Sequence, residues 1–317
     1  MPQVLREEDG EAWHRALRAF LGIPASKHAP DHSTISRTRR LVDLETHEAI
    51  FSWMLGVLDR AGLVRGKTLG VDATTLEANA AMKSIVRRDD GRSYEEFLKD
   101  LAKTSGIATP TREDLARLAR KRKKKGTNTD WYNPHDPEAK ITRMKDGRTH
   151  LAHKAEHGVD MDTGAVVAVT LQGATEGDTS TLEGTLEAAK KNLDDAREHA
   201  GDDAKRTHEP TEVVADKGYH SKMVMLSLRL AGWRSYIAEP RRGRQHWEDE
   251  LSERDAVYAN RRRKNGRRGR HLMRRRGELL ERPFAHAFET GGMRRIHLRH
   301  HENIAKRLLV HIAGFNL

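Results

Sequence analysis

Along the chain, segments with apolar residues at helical spacing alternate with short continuous apolar runs. Helical spacing predicts helices at residues 11–21, 44–61, 93–103, 112–121, 179–199, 221–231, 272–289 and from 302 to the end. Shorter helices are predicted at 34–40, which is basic, and at 76–82. Apolar runs predict strands at 68–72, 149–159, 165–171, 212–215 and 235–238, with hairpin-forming residues at 160–164. This order of elements predicts an α/β fold in which helices flank a mixed sheet.

The same pattern predicts two regions of different character. Residues 1–64 form a predicted helical N-terminal unit, and residues 65–317 form a predicted α/β domain. The N-terminal unit resembles a helix-turn-helix, and both DNA binding and simple packing on the core remain open for it. A predicted insertion at about 86–148 interrupts the α/β domain, and seven of its nine residues 117–125 are basic. This insertion either follows a nucleic-acid backbone or is merely solvated.

The charge of the chain favours a polyanionic partner. Lys and Arg number 58 against 47 Asp and Glu, which gives a net charge of +11 and a pI of about 9.8. Nucleic acid is the leading candidate, because basic proteins bind it with release of counterions. The absence of cysteine excludes disulfides and Cys-ligated metal sites. No apolar run reaches the roughly 20 residues of a membrane span and no signal-peptide pattern opens the chain, so we expect a soluble, cytoplasmic protein.

Three acidic residues are distinguished by their surroundings. Asp72 and Asp216 each directly follow a short apolar run, and Glu281 lies in a strongly basic helical segment. Strand ends in α/β sheets build functional sites, and Mg²⁺ and Mn²⁺ prefer carboxylate oxygens. Two such ions support phosphoryl transfer on DNA. Taken singly, an Asp after a strand is more often a turn or cap residue, and Glu278 or Glu281 can be an i,i+4 partner of an arginine.

Several motifs together resemble one known family. They are the segments 71–80 (VDATTLEANA), 214–219 (VADKGY) and 281–286 (ERPFAH) with 289–295 (ETGGMRR), and also 30–34 (PDHST), His153-Lys154 with Val159-Asp160, and 173–178. In this combination they resemble the DDE transposases of bacterial insertion sequences, from about residue 25 to the end. The resemblance implies a ribonuclease H-like catalytic domain. It also implies DNA transposition, in which DNA is cut at transposon ends and joined to a target.

The resemblance further implies a set of site residues. Asp72, Asp216 and Glu281 are the implied catalytic residues, which bind two Mg²⁺ or Mn²⁺ ions. The implied DNA-binding residues are Arg276, Arg282 and Arg294 around the third acid, Arg37 in the basic N-terminal helix and Lys217 beside Asp216. The implied partners are the terminal inverted repeats, target DNA and a second copy in a homodimer, at the bacterial nucleoid. The chain departs from the commonest family motif, since it lacks a Tyr about two turns before Glu281 and has Phe288 in place of a Lys.

Other functions stay open at the level of sequence. The chain ends inside an apolar helix, so a truncated or catalytically inactive protein that binds transposon ends is one alternative. A ribonuclease H-like nuclease, which hydrolyses DNA without strand transfer, is another. A glycosidase is disfavoured, because only 5% of the residues are aromatic and the net charge is positive. The histidines at 150, 153 and 157 and at 297, 300 and 301 lack a typical zinc-ligand spacing, so no zinc site is predicted.

Overall fold

The computed structural model describes residues 32–121, 126–144, 146–241 and 245–317, together with Gly22, Pro24, Ser26, Lys27 and Gly243. The helix predicted at 11–21 lies outside these residues. Packing divides the chain into two units, residues 1–43 and 44–317. Helix α1 (His32–Leu41) lies in the first unit, and the second unit holds the other described elements. The division into a 1–64 unit and a 65–317 domain stays a prediction.

A mixed sheet forms the centre of the second unit. The described strands are β1 (Thr68–Glu77), β2 (Val86–Arg87), β3 (Trp131–Tyr132), β4 (Lys140–Arg143), β5 (Thr149–Asp160), β6 (Val166–Gly173), β7 (Glu212–Ala215) and β8 (Arg234–Ile237). Strands β2 and β3 pair separately, and the others follow the order β4-β5-β1-β7-β8 with β6 also beside β5. Strand β5 is antiparallel to β1, β4 and β6, whereas β1, β7 and β8 are parallel. This confirms the predicted α/β class and its ribonuclease H-like mixed sheet.

The two strands that precede the predicted aspartates lie at the centre of this sheet. Leu69 and Val71 of β1 and Val213 and Val214 of β7 are completely buried. A strand covered on both faces needs apolar residues at successive positions, and the short apolar runs of the sequence provide them. The predicted strand at 212–215 therefore coincides with β7.

Helices cover both faces of the sheet. They are α2 (Leu44–Ala61), α3 (Tyr94–Thr104), α4 (Arg112–Lys121), α5 (Asp178–Ala200), α6 (Lys222–Leu230), α7 (Leu251–Asn265), α8 (Arg267–Glu289) and α9 (His301–Asn316). Helix α5 covers one face, where a Cβ on Gly158 of β5 would lie 3.5 Å from the Cβ of Ala189. Helix α8 crosses the opposite face and places Leu280 against Gly70 of β1. None of the described helices is both long and apolar enough to cross a membrane.

The segment that follows Asp72 differs from its predicted conformation. The pattern predicts a helix at 76–82, but β1 continues to Glu77 and a 3₁₀ turn follows at Met82–Ser84. The helix prediction is wrong because Leu76 pairs with His153 of β5 and is buried in a cluster that includes Ala155. Tertiary packing here outweighs the helix propensity of an alanine-rich segment.

Helix α7 lies where the sequence predicts no element. Its apolar stripe is thin, because Ala256 and Val257 are its buried apolar residues. Asn260 fixes the helix to β8 instead. Its side-chain carbonyl accepts a hydrogen bond from the backbone N–H of Ile237, and its amide donates one to the backbone carbonyl of Ile237, both at 2.9 Å. A polar attachment of this kind leaves no apolar periodicity in the sequence.

The contact between β1 and α8 predicts a strong effect of one methyl group. A Cβ on Gly70 would lie 2.5 Å from both Leu280 Cδ1 and Met161 Sδ. We expect Gly70→Ala to lower the free energy of unfolding by about 1–3 kcal/mol, which is the usual cost of overpacking a core. Urea unfolding followed by circular dichroism measures this difference.

Gly184 provides the matched control for that substitution. It lies inside helix α5, and a Cβ there would meet nothing within 4 Å. Gly184→Ala should raise the free energy of unfolding by about 0.5–1 kcal/mol, because alanine loses less backbone entropy in a helix. A Gly70→Ala protein as stable as the parent would show that α8 does not pack this closely on β1.

Candidate active site

Asp216 directly follows β7 as predicted, whereas Asp72 lies inside the neighbouring strand β1, which continues to Glu77. The last pair in the parallel register of β1 and β7 is Val71 with Ala215, and the next residue on each segment is the aspartate. Neighbouring strands lie about 4.8 Å apart, so the register sets the two residues side by side where β7 ends. Both are half-buried. The structure thus brings together two of the three acids that the sequence distinguishes.

A further carboxylate, Asp178, lies next to Asp216. Asp178 is the first residue of α5. Its Oδ2 atom and the Oδ1 atom of Asp216 lie 2.3 Å and 3.0 Å from the point that a Cβ on Gly218 would occupy. Gly218 therefore leaves the space into which both carboxylates fit. The sequence indicated segment 173–178 only as part of a motif, and the available signal for this residue was an acid at the start of a predicted helix.

The environment of Asp72 favours its neutral form. Burial raises its pKa, and the negative charges of Asp216 and Asp178 raise it further. Two contacts act in the opposite direction. Arg276 Nη1 lies 3.2 Å from Asp72 Oδ2, and the backbone N–H of Ala73 donates a 2.9 Å hydrogen bond to Oδ1. The net shift of the pKa is upward, so burial and repulsion between the acids outweigh the arginine.

Lys154 of β5 forms an ion pair with Asp178. Its Nζ atom lies 2.7 Å from Asp178 Oδ1 and 3.6 Å from Glu156 Oε1. It also donates a 3.0 Å hydrogen bond to the hydroxyl of Thr181, and the residue is only 5% exposed. A buried ammonium group requires such partners, because an unpaired buried charge is strongly unfavourable. Lys154 therefore joins the start of α5 to the sheet.

Glu156 extends this attachment to the loop that carries Asp216. Its side chain is completely buried. It accepts hydrogen bonds from the Tyr219 hydroxyl at 2.8 Å and from Thr181 at 2.9 Å, and another from Thr185. These contacts fix the 3₁₀ turn Lys217–Tyr219 and helix α5 to β5. A network of buried polar groups thus holds the Asp216 loop against β5.

Glu281, the third acid that the sequence distinguishes, lies on α8. Phe284, one turn later, stacks on His157 with ring centroids 4.1 Å apart, and His157 is the partner of Asp72 in β5. Burial lowers the pKa of His157 to about 3, so its ring is neutral. The Glu281 side chain is exposed and has no hydrogen bond or ion pair within the described part of the chain. Its role as a third ligand stays a prediction.

Two of the arginines that were predicted to bind DNA pair with acids of the protein. Arg276 is half-buried and contacts Asp72. Arg282 Nη2 lies 2.6 Å from Glu278 Oε1, one turn earlier on the exposed side of α8. The i,i+4 pairing that the sequence offered as an ordinary explanation for Glu278 is therefore present. An exposed pair of this kind contributes little to stability and is easily opened by a phosphate group.

The other predicted DNA-binding residues are exposed. The Arg294 guanidinium lies 5.4 Å from the centre of the Phe288 ring. Lys217 is exposed directly after Asp216, and Arg37 is exposed on α1. Their charged groups are open to solvent, and binding of DNA by these residues stays a prediction.

The donor set where β7 ends beside β1 suits hard divalent cations. Asp72, Asp216 and Asp178 offer carboxylate oxygens, which are the ligands that Mg²⁺ and Mn²⁺ prefer. Burial is the largest cause of the raised pKa of Asp72, and the smaller contributions of Asp216 and Asp178 reflect an excess of negative charge close to it. A dication would neutralise that excess and favour the ionised carboxylates.

The sheet order and the two neighbouring aspartates define a ribonuclease H-like protein with an acidic site on its central strands, where β7 ends. The sequence profile of the transposase DDE domain matches residues 128–315, which is more than half of the chain. The chain belongs to the transposase DDE domain family. Asp178, Asp216 and Glu281 lie inside the matched segment, and Asp72 precedes it. Comparison with curated proteins and with solved structures gives no match.

The buried network below Asp216 predicts a loss of stability when one hydroxyl is removed. Tyr219→Phe deletes the donor that binds Glu156 at 2.8 Å and leaves a buried carboxylate with one partner fewer. We expect the free energy of unfolding to fall by about 1.5–3 kcal/mol, the usual contribution of a hydrogen bond to a charged group. Chemical unfolding measures this change.

Tyr132→Phe is the control for the loss of a tyrosine hydroxyl. The Tyr132 ring packs against Arg88, whose guanidinium carbon lies 4.8 Å from the ring centre, and this contact does not need the hydroxyl. Stability should change by less than about 0.5 kcal/mol. Equal effects of the two substitutions would mean that the hydrogen bond to Glu156 does not stabilise the fold.

Proposed function

We propose that the protein is a transposase that cuts DNA at transposon ends and transfers the cut strand into target DNA by metal-dependent chemistry. The observation that carries this proposal is the register of β1 and β7, in which Asp72 and Asp216 follow the last paired residues. Membership of the transposase DDE domain family supports DNA as the substrate. The net charge of +11 supports a polyanionic partner.

Asp72, Asp216 and Glu281 are the proposed ligands of two Mg²⁺ or Mn²⁺ ions. When bound, such ions activate a nucleophile and stabilise a leaving oxyanion in an in-line displacement. The protein contributes position and charge. Arg276 favours the ionised form of Asp72, which is the form that binds a cation. The Glu156 network fixes the loop that carries Asp216.

Basic residues around the acids are the proposed DNA-binding surface. Ten of the sixteen residues 261–276, which span the end of α7 and the first half of α8, are Lys or Arg. Lys217, Arg282 and Arg294 are exposed and belong to the same proposed surface. Contacts of this kind bind phosphates without regard to sequence and weaken as salt rises. The proposed DNA partners are the terminal inverted repeats and the target, with a homodimer joining two ends at the bacterial nucleoid in the cytoplasm.

One observation favours a second candidate function. The Glu281 side chain is exposed and has no partner among the described residues. A catalytically inactive protein that only binds transposon ends would have the same feature. In that case, replacement of the carboxylates would change neither end binding nor any other measurable activity. An assay that separates cleavage from binding therefore decides between the two functions.

Removal of either aspartate should abolish Mg²⁺-dependent cleavage and spare DNA binding. Asp72→Asn and Asp216→Asn each replace a charged ligand oxygen. The cleavage rate should fall at least about 100-fold, because metal ions contribute several kcal/mol to the transition state and about 1.4 kcal/mol corresponds to tenfold. The measurement is cleavage of a duplex that carries the terminal repeats flanking the coding sequence, with gel-shift titration at fixed salt for binding.

Glu278 supplies the matched control for Glu281 in the same experiment. Both side chains are exposed on α8, and Glu278 pairs with Arg282. Glu281→Gln should abolish cleavage, and Glu278→Gln should not. Equal activity of these two variants would show that Glu281 is not part of the site. Unchanged activity of the two aspartate variants would favour the protein that only binds transposon ends. Joining of a pre-cleaved end to target DNA separates a transposase from a nuclease, which only hydrolyses.

Asp178 should affect cation affinity even in the absence of DNA. Asp178→Asn removes one of the two negative charges that raise the pKa of Asp72 and also the partner of Lys154. Because neighbours of ligand carboxylates typically change metal affinity by about 10–100-fold, we expect Mn²⁺ to bind more weakly within this range. Titration with Mn²⁺ followed by electron paramagnetic resonance measures the affinity. Asp162→Asn, at an exposed turn, is the control, and equal affinities would exclude Asp178 from the site.

A further inference from the structure

Two carboxylates and a histidine meet between the end of the insertion and the start of the last helix. Asp136 and Glu138 lie in the loop between β3 and β4, and His300 directly precedes α9. One donor atom of each of the three residues lies within 4.8 Å of the others. Ligand atoms around tetrahedral zinc lie roughly 3.3–3.5 Å apart, as bonds of 2.0–2.1 Å require. Small side-chain rotations would therefore bring these three donors to a metal-binding separation.

Two further imidazole rings face the same carboxylates. His153 of β5 is completely buried, and its Nε2 atom lies 3.0 Å from Asp136 Oδ2. His301 Nδ1 lies 3.6 Å from Glu138 Oε1, and the His301 and His153 rings are 5.0 Å apart. Within the described part of the chain, His153 Nδ1 and His301 Nε2 are buried and have no hydrogen-bond partner. Buried polar atoms are nearly always paired, so this region has more donors than the protein satisfies.

Capping of α9 explains only part of this arrangement. The backbone N–H of His301 donates to Glu138 Oε2 at 2.7 Å, and the backbone N–H of His300 lies 3.4 Å from Asp136 Oδ1. Carboxylates at a helix N-terminus are favourable in themselves. A cap, however, needs no imidazole at position 300. His300 has φ 67°, a left-handed conformation in which glycine would be unstrained. The cap uses only backbone N–H groups and makes no use of the His300 and His301 rings.

We propose that Asp136, Glu138, His300 and His301 bind one divalent transition-metal ion of the zinc class. Two imidazole nitrogens and two carboxylate oxygens form a four-donor set that zinc accepts in tetrahedral geometry. Mg²⁺ instead prefers six oxygens. His153 is a positioning residue in this site, because its ring holds Asp136 by a hydrogen bond and such outer contacts orient metal ligands. The ligands come from two segments about 160 residues apart, which is why their spacing in the sequence gives no zinc signal.

The proposed site is separate from the acidic pair on β1 and β7. His153 lies four residues along β5 from His157, the partner of Asp72, which corresponds to about 13 Å. A small apolar cluster that includes Leu76, Ala155 and Met293 occupies this part of the sheet. A metal ion at Asp136 and His300 would join the end of the insertion to the start of α9. Its role is therefore structural, and the inference does not depend on the proposed transposase activity.

Zinc binding to the full chain tests this site directly. The chain used in this test carries Asp216→Asn, which weakens cation binding at the acidic pair. It is dialysed with Zn²⁺ and then against buffer with excess Mg²⁺. We expect one zinc ion retained per chain by elemental analysis, and a thermal midpoint that rises with added Zn²⁺. Co²⁺ in place of Zn²⁺ should give the strong visible absorption of a tetrahedral site. Glu138→Gln and His300→Gly should each lose the retained ion and the zinc-dependent shift.

His300→Gly keeps the test independent of folding defects. Glycine relieves the positive φ at this position, so the zinc-free variant should melt at the same temperature as the parent or higher. His297→Ala, at an exposed neighbouring histidine, should retain zinc. Retention of zinc by His300→Gly and Glu138→Gln, or no retention by the parent, would overturn the site and leave a helix cap only. Zinc that the unsubstituted chain retains and the Asp216→Asn chain does not would assign the ion to the acidic pair and also overturn the proposed site.

Discussion

The parallel register of β1 and β7 is the constraint on which the candidate site depends. Val71 pairs with Ala215, so the next residue on each strand falls at the same level, and in both cases it is an aspartate. A shift of one residue would separate the two carboxylates and turn one of them to the other face of the sheet. The register is itself held by complete burial of the preceding apolar residues. The hydrophobic core therefore holds two acidic groups close together although their charges repel each other.

The repulsion at this point explains much of the polar structure around it. Burial raises the pKa of Asp72, the charges of Asp216 and Asp178 raise it further, and Arg276 is the one cation that contacts Asp72 in the described part of the chain. On the opposite face, Lys154 and the Glu156 network attach α5 and the Asp216 loop to β5. Buried ion pairs are weak sources of stability, because desolvation offsets the attraction between the charges. Their benefit here is the fixed position of three carboxylates, which a cation site requires.

The elements that apolar patterning controls could be predicted from the sequence, and those that polar contacts control could not. The runs before Asp72 and Asp216 identified β1 and β7, because a strand buried on both faces must be apolar throughout. Helix α7 was not predicted because Asn260, rather than an apolar stripe, attaches it to β8. The same division holds at the site. The apolar runs also indicated the two aspartates that follow them, whereas Asp178 acquires its place only when α5 packs across the sheet.

The Glu281 side chain is exposed on α8, and no contact joins it to Asp72 or Asp216 among the described residues. A further carboxylate beside Asp72, Asp216 and Asp178 would add repulsion to a group that already has an upward shift. Contacts of Leu280 with Gly70 and of Phe284 with His157 nevertheless fix this turn of α8 against the sheet. The proposed role of Glu281 requires its side chain to reach the aspartates. A bound dication attracts every carboxylate within reach, so it turns the repulsion between Glu281 and the acidic site into attraction. The approach of Glu281 and the binding of cations should therefore be coupled.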